Sequence, residues 1–210
     1  MHESTITALS THPARPGRVR VYIDGMYAFE LSRKVILAQD VTEGEVLSAE
    51  RRRELEMIAI REAAIALLAR RERSRAELAA GLRRKRFSPA LIDAVLGKIE
   101  ADGLQSDARF ADAWVGTRRR LSPRGRLALV YELKQRGIGE SEIGRAIGQY
   151  TPTDEREALR ELIAARLPRL TASGGNKEKV KHRLLSFLAR RGFAYDDVRA
   201  VLAAHFPEWL

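Results

Sequence analysis

The chain has 210 residues, of which 45% are apolar and 31% are charged, a composition that suits one or two compact domains and excludes a wholly disordered protein. It contains no cysteine, which excludes disulfide bonds, thiolate metal sites and cysteine nucleophiles. The 38 lysines and arginines exceed the 28 acidic residues and give a net charge of +10, which favours nucleic acid, or a protein complex built on it, as a partner. An arginine-rich proteome would give the same excess.

The N-terminal part of the chain has the pattern of short strands. Two β-prone runs, 19–23 and 26–31, flank Asp24 and Gly25, and this dipeptide indicates a hairpin because both turn residues need positive φ. A shorter run, 6–10, is a further strand candidate. We therefore expect a small β-hairpin segment before the rest of the chain.

From about residue 49 to the end the pattern is helical. Residues 49–71 form a long helical run, and Ser74 with Glu77 fits a capping box at a helix start. Three further helix starts are indicated by a capping hydroxyl before a proline, at Ser88–Pro89, Ser122–Pro123 and Thr151–Pro152. This reading predicts about nine helices in groups of three.

An internal repeat is the most informative feature of the sequence. Three sets of six apolar residues share the internal spacings 4, 5, 5, 3 and 1. They are Leu78, Leu82, Phe87, Ile92, Val95 and Leu96; Leu129, Leu133, Ile138, Ile143, Ala146 and Ile147; and Leu184, Leu188, Phe193, Val198, Val201 and Leu202. The spacing describes a helix, a tight turn and a second helix, and three copies in phase predict a structural repeat.

The turn of each helix pair contains a residue expected to have positive φ. Gly137 and Gly192 occupy this position in the second and third copies, whereas the first copy has Arg86. Either the first turn follows a different backbone path, or Arg86 adopts a strained left-handed conformation.

A pair of basic residues precedes the first aligned leucine in each copy: Arg73 and Arg75, Arg124 and Arg126, and Lys179 and Lys181. The first two pairs lie at a helix N-terminus, where cations oppose the helix dipole by about 0.3–1 kcal/mol each. A helix start beside two cations suits a phosphate or a carboxylate. Solvent-facing charge in an arginine-rich chain is the equally weighted alternative.

The fold class expected from these patterns is mostly α, with three tandem three-helix repeats in a curved modular array behind the β-hairpin segment. The expected domains are the segment 1–48 and the repeats 49–105, 106–150 and 151–210. The start of the chain lacks the basic and apolar regions of an export signal, and no run is long enough to span a membrane, so we expect a cytoplasmic protein. We further expect a monomer.

Several segments in a fixed order resemble the RecX family of recombination regulators. They are residues 68–78, residues 103–111, Arg124–Gly125 and residues 132–138, and the likeness is strongest over residues 58–150. Arg86, in place of the turn glycine, and the long loop 170–176 depart from the family pattern. The third repeat and the N-terminal segment match in layout more than in motif.

The resemblance implies a negative regulator of the RecA recombinase in DNA repair and recombination. Such a protein binds the RecA filament on single-stranded DNA, blocks its extension, and lowers its ATPase and strand-exchange activities; direct DNA contact is a further expectation. The resemblance implies no catalytic residue, cofactor or metal. The residues expected to bind the filament or DNA are Arg73, Arg75, Arg124, Arg126, Lys134, Arg136, Lys179 and Lys181.

An autonomous, sequence-nonspecific DNA-binding helical module is the alternative function. The helix pairs then act as helix-turn-helix units, but the second helices are poor in the arginine and lysine that a recognition helix carries. The four histidines are scattered without the spacing of metal ligands, and no serine–histidine–acid set is evident, so we expect no enzyme activity.

Overall fold

A computed structural model describes residues 4–174 and 176–209. Residues 1–3 lie outside that description. They belong to the start of the chain, where the sequence predicts no export signal. The chain divides into two compact units, Met1–Ser106 and Asp107–Leu210. The first holds the sheet and one helix triplet, and the second holds two helix triplets.

The N-terminal segment is a four-stranded antiparallel sheet. Its strands are β1 (Ser4–Thr11), β2 (Arg18–Ile23), β3 (Met26–Ser32) and β4 (Val46–Leu47), in the order β3-β2-β1-β4. The predicted hairpin is confirmed, since Asp24 and Gly25 join β2 to β3 with φ of +50° and +77°. The sheet is larger than expected, because β1 also pairs with β2 and with the two-residue β4.

The first unit continues with the helices α1 (Arg33–Ala38), α2 (Ala49–Leu68), α3 (Arg75–Arg83) and α4 (Pro89–Ala101). The carboxylate of Glu62 on α2 accepts hydrogen bonds from the backbone N–H of Ser32 at 2.8 Å and from the guanidinium of Arg18 at 2.7 Å. These bonds tie α2 to the sheet, so that the strands and the first three-helix repeat share one core.

The second unit contains the helices α5 (Asp107–Leu121), α6 (Arg126–Lys134), α7 (Glu140–Gly148), α8 (Pro152–Ala172), α9 (Lys177–Arg190) and α10 (Tyr195–His205). A 3-10 turn, Pro207–Trp209, follows them. The triplet α5–α7 and the triplet α8–α10 each surround a separate apolar cluster. Each triplet has the order of elements that the repeat predicts.

All the apolar residues aligned in the repeat are buried, and none exposes more than 8% of its surface. This burial explains why the spacing recurs, since each position fills the same place between two helices. The predicted fold class is confirmed: the chain is mostly helical, with three three-helix repeats behind a small antiparallel β segment. The four predicted domain boundaries stay a prediction.

The turn inside each helix pair has the left-handed residue that the sequence predicts. Gly137 has φ of +72° and Gly192 has φ of +78°, and Arg86 takes the same conformation with φ of +67°. Of the two possibilities for the first turn, the structure therefore selects the strained arginine.

The predicted helix start at Ser122–Pro123 is wrong. These residues lie in the connection after α5, and α6 begins at Arg126 with Gly125 as its N-cap. The N–H of Gly125 donates to the carbonyl of Arg191 at 2.9 Å. A Cβ at Gly125 would lie less than 3.0 Å from the backbone of Gly192, so a tertiary contact decides where this helix starts.

Candidate functional site

The first predicted basic pair flanks the start of α3. The guanidinium of Arg75 bonds the carboxylate of Glu100 at 2.6 Å and lies 3.3 Å from that of Asp93. The hydrogen bond to Glu100 raises the pKa of Arg75. Arg73 donates through Nε to the carbonyl oxygen of Leu67 at 3.2 Å, and burial lowers the pKa of Arg73. Both side chains are thus held by groups of the chain itself.

The second predicted pair flanks the start of α6. The backbone N–H of Arg126 donates to Oε1 of Glu155 on α8 at 2.8 Å. Glu155 is only 5% exposed, and burial raises the pKa of its carboxyl group. Arg124 lies 3.3 Å from the carboxylate of Glu132. A carboxylate of the chain therefore occupies the helix end at which the sequence predicts an external anion.

Glu132 also organises the contact between α5 and α6. Its Oε2 accepts hydrogen bonds from Nε1 of Trp114 at 2.8 Å and from Nε of Arg118 at 2.9 Å. The guanidinium groups of Arg118 and Arg136 lie 4.3 Å and 3.7 Å from the centre of the Trp114 ring. Arg136, another predicted site residue, is thus packed on an aromatic ring.

The remaining predicted residues are more accessible. Lys134 is exposed and lies 3.2 Å from the carboxylate of Glu140, which is itself 89% exposed. Lys179 is exposed near the start of α9, and Lys181 is half-buried. Within the residues that the structure describes, neither of these two lysines has a carboxylate at ion-pair distance.

The eight predicted residues lie on several elements of both units. Arg75, Arg124 and Lys134 each lie within ion-pair distance of a carboxylate, so external anions compete with that partner for them. Their role in binding a filament or DNA stays a prediction.

A basic groove of about 350 Å³ runs between α8 and α9. It is lined by Arg166, Leu170, His182, Arg183, Ser186, Phe187 and Arg190. In the described part of the chain, no aspartate or glutamate lines it.

Arginines gather around the aromatic side chain of this groove. The guanidinium groups of Arg166 and Arg191 each lie 4.9 Å from the centre of the Phe187 ring. Burial, together with the positive charges of Arg124 and Arg166, lowers the pKa of Arg191. Arg191 does not line the groove itself, since its Nη1 donates to Oγ of Ser122 at 3.3 Å and to the carbonyl of Pro123 at 3.1 Å.

The sequence analysis overlooked the groove, although the register of the repeat marks a basic position, Arg191, whose guanidinium packs on Phe187 beside the groove. The third residue after the second aligned leucine is basic in every copy, at Lys85, Arg136 and Arg191. Only Arg136 was among the predicted site residues. The groove residues on α8 precede the repeated motif, so alignment of the motif could not find them.

The described residues offer neither a metal site nor a membrane-spanning helix. No group of three or more histidine, cysteine, aspartate or glutamate side chains there could hold a metal ion. None of the described helices is both long enough and apolar enough to cross a bilayer.

Comparison with protein families gives three matches in chain order. The models match the first three-helix domain of RecX over residues 61–98, the second over residues 106–147 and the third over residues 154–202. Together they cover more than half of the chain, and each match lies within one helix triplet or extends a few residues beyond its helices.

Relatives named Regulatory protein RecX match most of the chain. The protein of Thermobifida fusca is 38% identical over 68% of this chain and 78% of its own length. That of Mycolicibacterium smegmatis is 34% identical over 78% of this chain and 89% of its own. That of Clostridium acetobutylicum is 25% identical over 99% of both chains.

Two solved structures share the fold. A crystal structure of regulatory protein RecX has a TM-score of 0.60 and 21% identity, and the match covers 94% of this chain and 98% of that one. The crystal structure of RecX from Lactobacillus salivarius has a TM-score of 0.63 and 21% identity, over 71% of this chain and 96% of that one.

Proposed function

The chain belongs to the RecX family of regulatory proteins, and from this premise we propose that it is a negative regulator of RecA. It binds the filament that RecA forms on single-stranded DNA, blocks its extension, and lowers its ATPase and strand-exchange activities. The protein acts by binding, and no catalytic group takes part.

The observation that carries this proposal is the basic groove between α8 and α9. Arg166, Arg183 and Arg190 line it without a facing carboxylate in the described residues, and Phe187 adds an aromatic ring to the lining. A filament of protein on DNA presents acidic side chains and phosphates along its length, and both are ligands for guanidinium groups. The eight predicted basic residues would add weaker contacts, which tethering in one chain makes effective together.

The direct test is the DNA-dependent ATPase of RecA, measured with increasing amounts of the full-length protein. We expect the rate to fall until the protein reaches a stoichiometric ratio to the filament. An unchanged ATPase at low salt and at equimolar protein would reject the proposed function.

The groove is tested with the double variant R183A/R190A. We expect it to need about tenfold more protein for half-inhibition, because ion pairs of exposed arginines contribute about 0.2–1 kcal/mol each and tenfold in affinity corresponds to about 1.4 kcal/mol. The matched control is R120A/R199A, which removes two exposed arginines outside the groove. Equal loss in both variants would show that net charge, rather than the groove, carries binding.

A further inference from the structure

Four consecutive cations, Arg83, Arg84, Lys85 and Arg86, form the turn between α3 and α4, and all four are exposed. Within the described residues, none of the four has a carboxylate at ion-pair distance. Arg83 ends α3, where the helix dipole favours a cation. That effect falls off beyond the last turn of the helix, so it does not explain the presence of Arg86.

Arg86 is placed against its own backbone preference. Its φ of +67° belongs to the left-handed region, where the equivalent residues of the other repeats are Gly137 and Gly192. The other described non-glycine residues with positive φ are Asp24 and Asp40, whose short polar side chains tolerate this region. An arginine retained where glycine costs less indicates a use for its side chain.

The turn adjoins a cleft of about 370 Å³ between the sheet and α2. Lys85 and Phe87 both line this cleft, so the backbone of Arg86 lies at its rim. Arg70 lines it too, and among the described residues it has no carboxylate at ion-pair distance. The cleft thus continues the positive surface of the turn.

The carboxylates near the cleft already form ion pairs with other arginines. Glu30 pairs with Arg15 at 2.7 Å, and Glu62 pairs with Arg18 at 2.7 Å. Arg70 and Lys85 therefore give the cleft a net positive charge.

An aromatic ring also lines the cleft. Tyr27 is 50% exposed, and its ring packs edge-to-face on Tyr22 with the ring centres 6.1 Å apart. An accessible ring beside uncompensated cations is the combination that binds single-stranded nucleic acid, since bases stack on the ring and phosphates bind the cations. A duplex does not fit this chemistry, because its bases are stacked on one another.

We propose that the α3–α4 turn and this cleft bind single-stranded DNA, with Arg84, Lys85 and Arg86 holding backbone phosphates and Tyr27 stacking on a base. The inference deepens the proposed function, since the DNA strand of the filament is the ligand. It is tested on DNA without RecA, so the two can fail separately. RecA inhibition without DNA binding would overturn this inference alone.

The first test measures binding of the full-length protein to a fluorescein-labelled 20-mer of deoxythymidine by anisotropy. R86G and R86N remove the charge and accept the left-handed backbone, so we expect about 3- to 10-fold weaker binding. The same variants should raise the melting temperature by about 1–4 °C, because strain is relieved. A loss of affinity in a more stable protein cannot come from unfolding.

Two variants serve as controls for Arg86. R86K keeps both the charge and the strained backbone, and it should bind within about twofold of the wild type. R53A removes an exposed cation of α2 and should change affinity less than R86G does. Unaltered affinity in R86G, or an equal loss in R53A, would overturn the proposal.

The second test separates stacking from phosphate binding. Y27A should weaken binding of the deoxythymidine 20-mer by about fivefold or more and leave binding of an abasic 20-mer unchanged. Y27F keeps the ring and should bind both oligonucleotides as the wild type does. Equal losses on the two oligonucleotides would mean that Tyr27 acts only through the fold.

Discussion

At the scale of single residues, the buried carboxyl group of Glu155 does what we expected of an external anion. It accepts a hydrogen bond from the N–H of Arg126 at 2.8 Å and lies against the positive end of α6. Burial raises the pKa of Glu155, with Asp197 adding to the shift and Arg126 and Arg156 opposing it. The carboxyl group thus satisfies a helix end at the cost of partial desolvation.

We predict unequal losses of stability for two substitutions of Glu155. E155A leaves the N–H of Arg126 without its acceptor and should lower the free energy of unfolding by about 1–3 kcal/mol. E155Q keeps an acceptor and should cost less. Urea denaturation at pH 7 measures both, and equal losses would contradict the role of the hydrogen bond.

The pH dependence of Glu155 has a definite sign. Because the folded state has the raised pKa, it binds the proton more tightly than the unfolded state, and ionisation of Glu155 costs stability. That cost is present above the folded pKa and disappears as the pH falls below the ordinary value of 4.5. From pH 7 to pH 4 the wild type should therefore gain stability relative to E155Q. A constant difference between the two would contradict the shift.

Gly192 is a second residue whose identity is set by its surroundings. Its φ is +78°, and an added Cβ would lie less than 3.0 Å from the backbone of Ala128 on α6. We predict that G192A lowers the free energy of unfolding by about 2–4 kcal/mol, since strain and overpacking add. The control is G103A, with φ of +69° and open space around its Cβ, which should cost only about 1–2 kcal/mol. Equal costs, measured by chemical denaturation, would contradict the close contact.

At the scale of elements, Glu132 joins α5 to α6 through Trp114, Arg118 and Arg124. Its side chain is 18% exposed, so these charges interact in a partly desolvated place. We predict that E132A lowers the free energy of unfolding by about 2–3 kcal/mol, because two donors lose their acceptor and Arg124 loses its ion-pair partner. E140A removes an exposed carboxylate and should change stability little. Urea denaturation of the two variants checks this, and a loss in E140A as large as that in E132A would contradict it.

At the scale of the whole molecule, the net charge of +10 favours association with DNA, and the number of phosphates held governs how binding responds to salt. Each phosphate held on single-stranded DNA contributes about −0.7 to the slope of log K against log salt. If three cations of the α3–α4 turn hold phosphates, removing them together should make the slope less steep by about 2. Anisotropy titrations of the wild type and of R84A/K85A/R86G between 50 and 200 mM salt measure this change. Parallel slopes would contradict phosphate binding at the turn.

The sequence by itself determined the turns of the helix pairs, the grouping into repeats and the helices apart from the start of α6. This was possible because burial recurs at helical spacing and because a left-handed turn demands glycine or a strained substitute, as at Gly137, Gly192 and Arg86. Both the periodicity of a helix and the conformation of a turn depend on residues that are close in the sequence. The two-residue β4 escaped detection, since so short a strand exists only through its pairing with β1.

Only the tertiary structure decided which cations are accessible to a ligand. Arg75 bonds Glu100, which is 25 positions away, and the N–H of Arg126 bonds Glu155, which is 29 positions away. No local pattern in the sequence predicts either partner. The groove at Phe187 likewise needs α8 folded against α9. The position of a charge is local information, but its neutralisation depends on which distant residues the fold brings within a few ångströms.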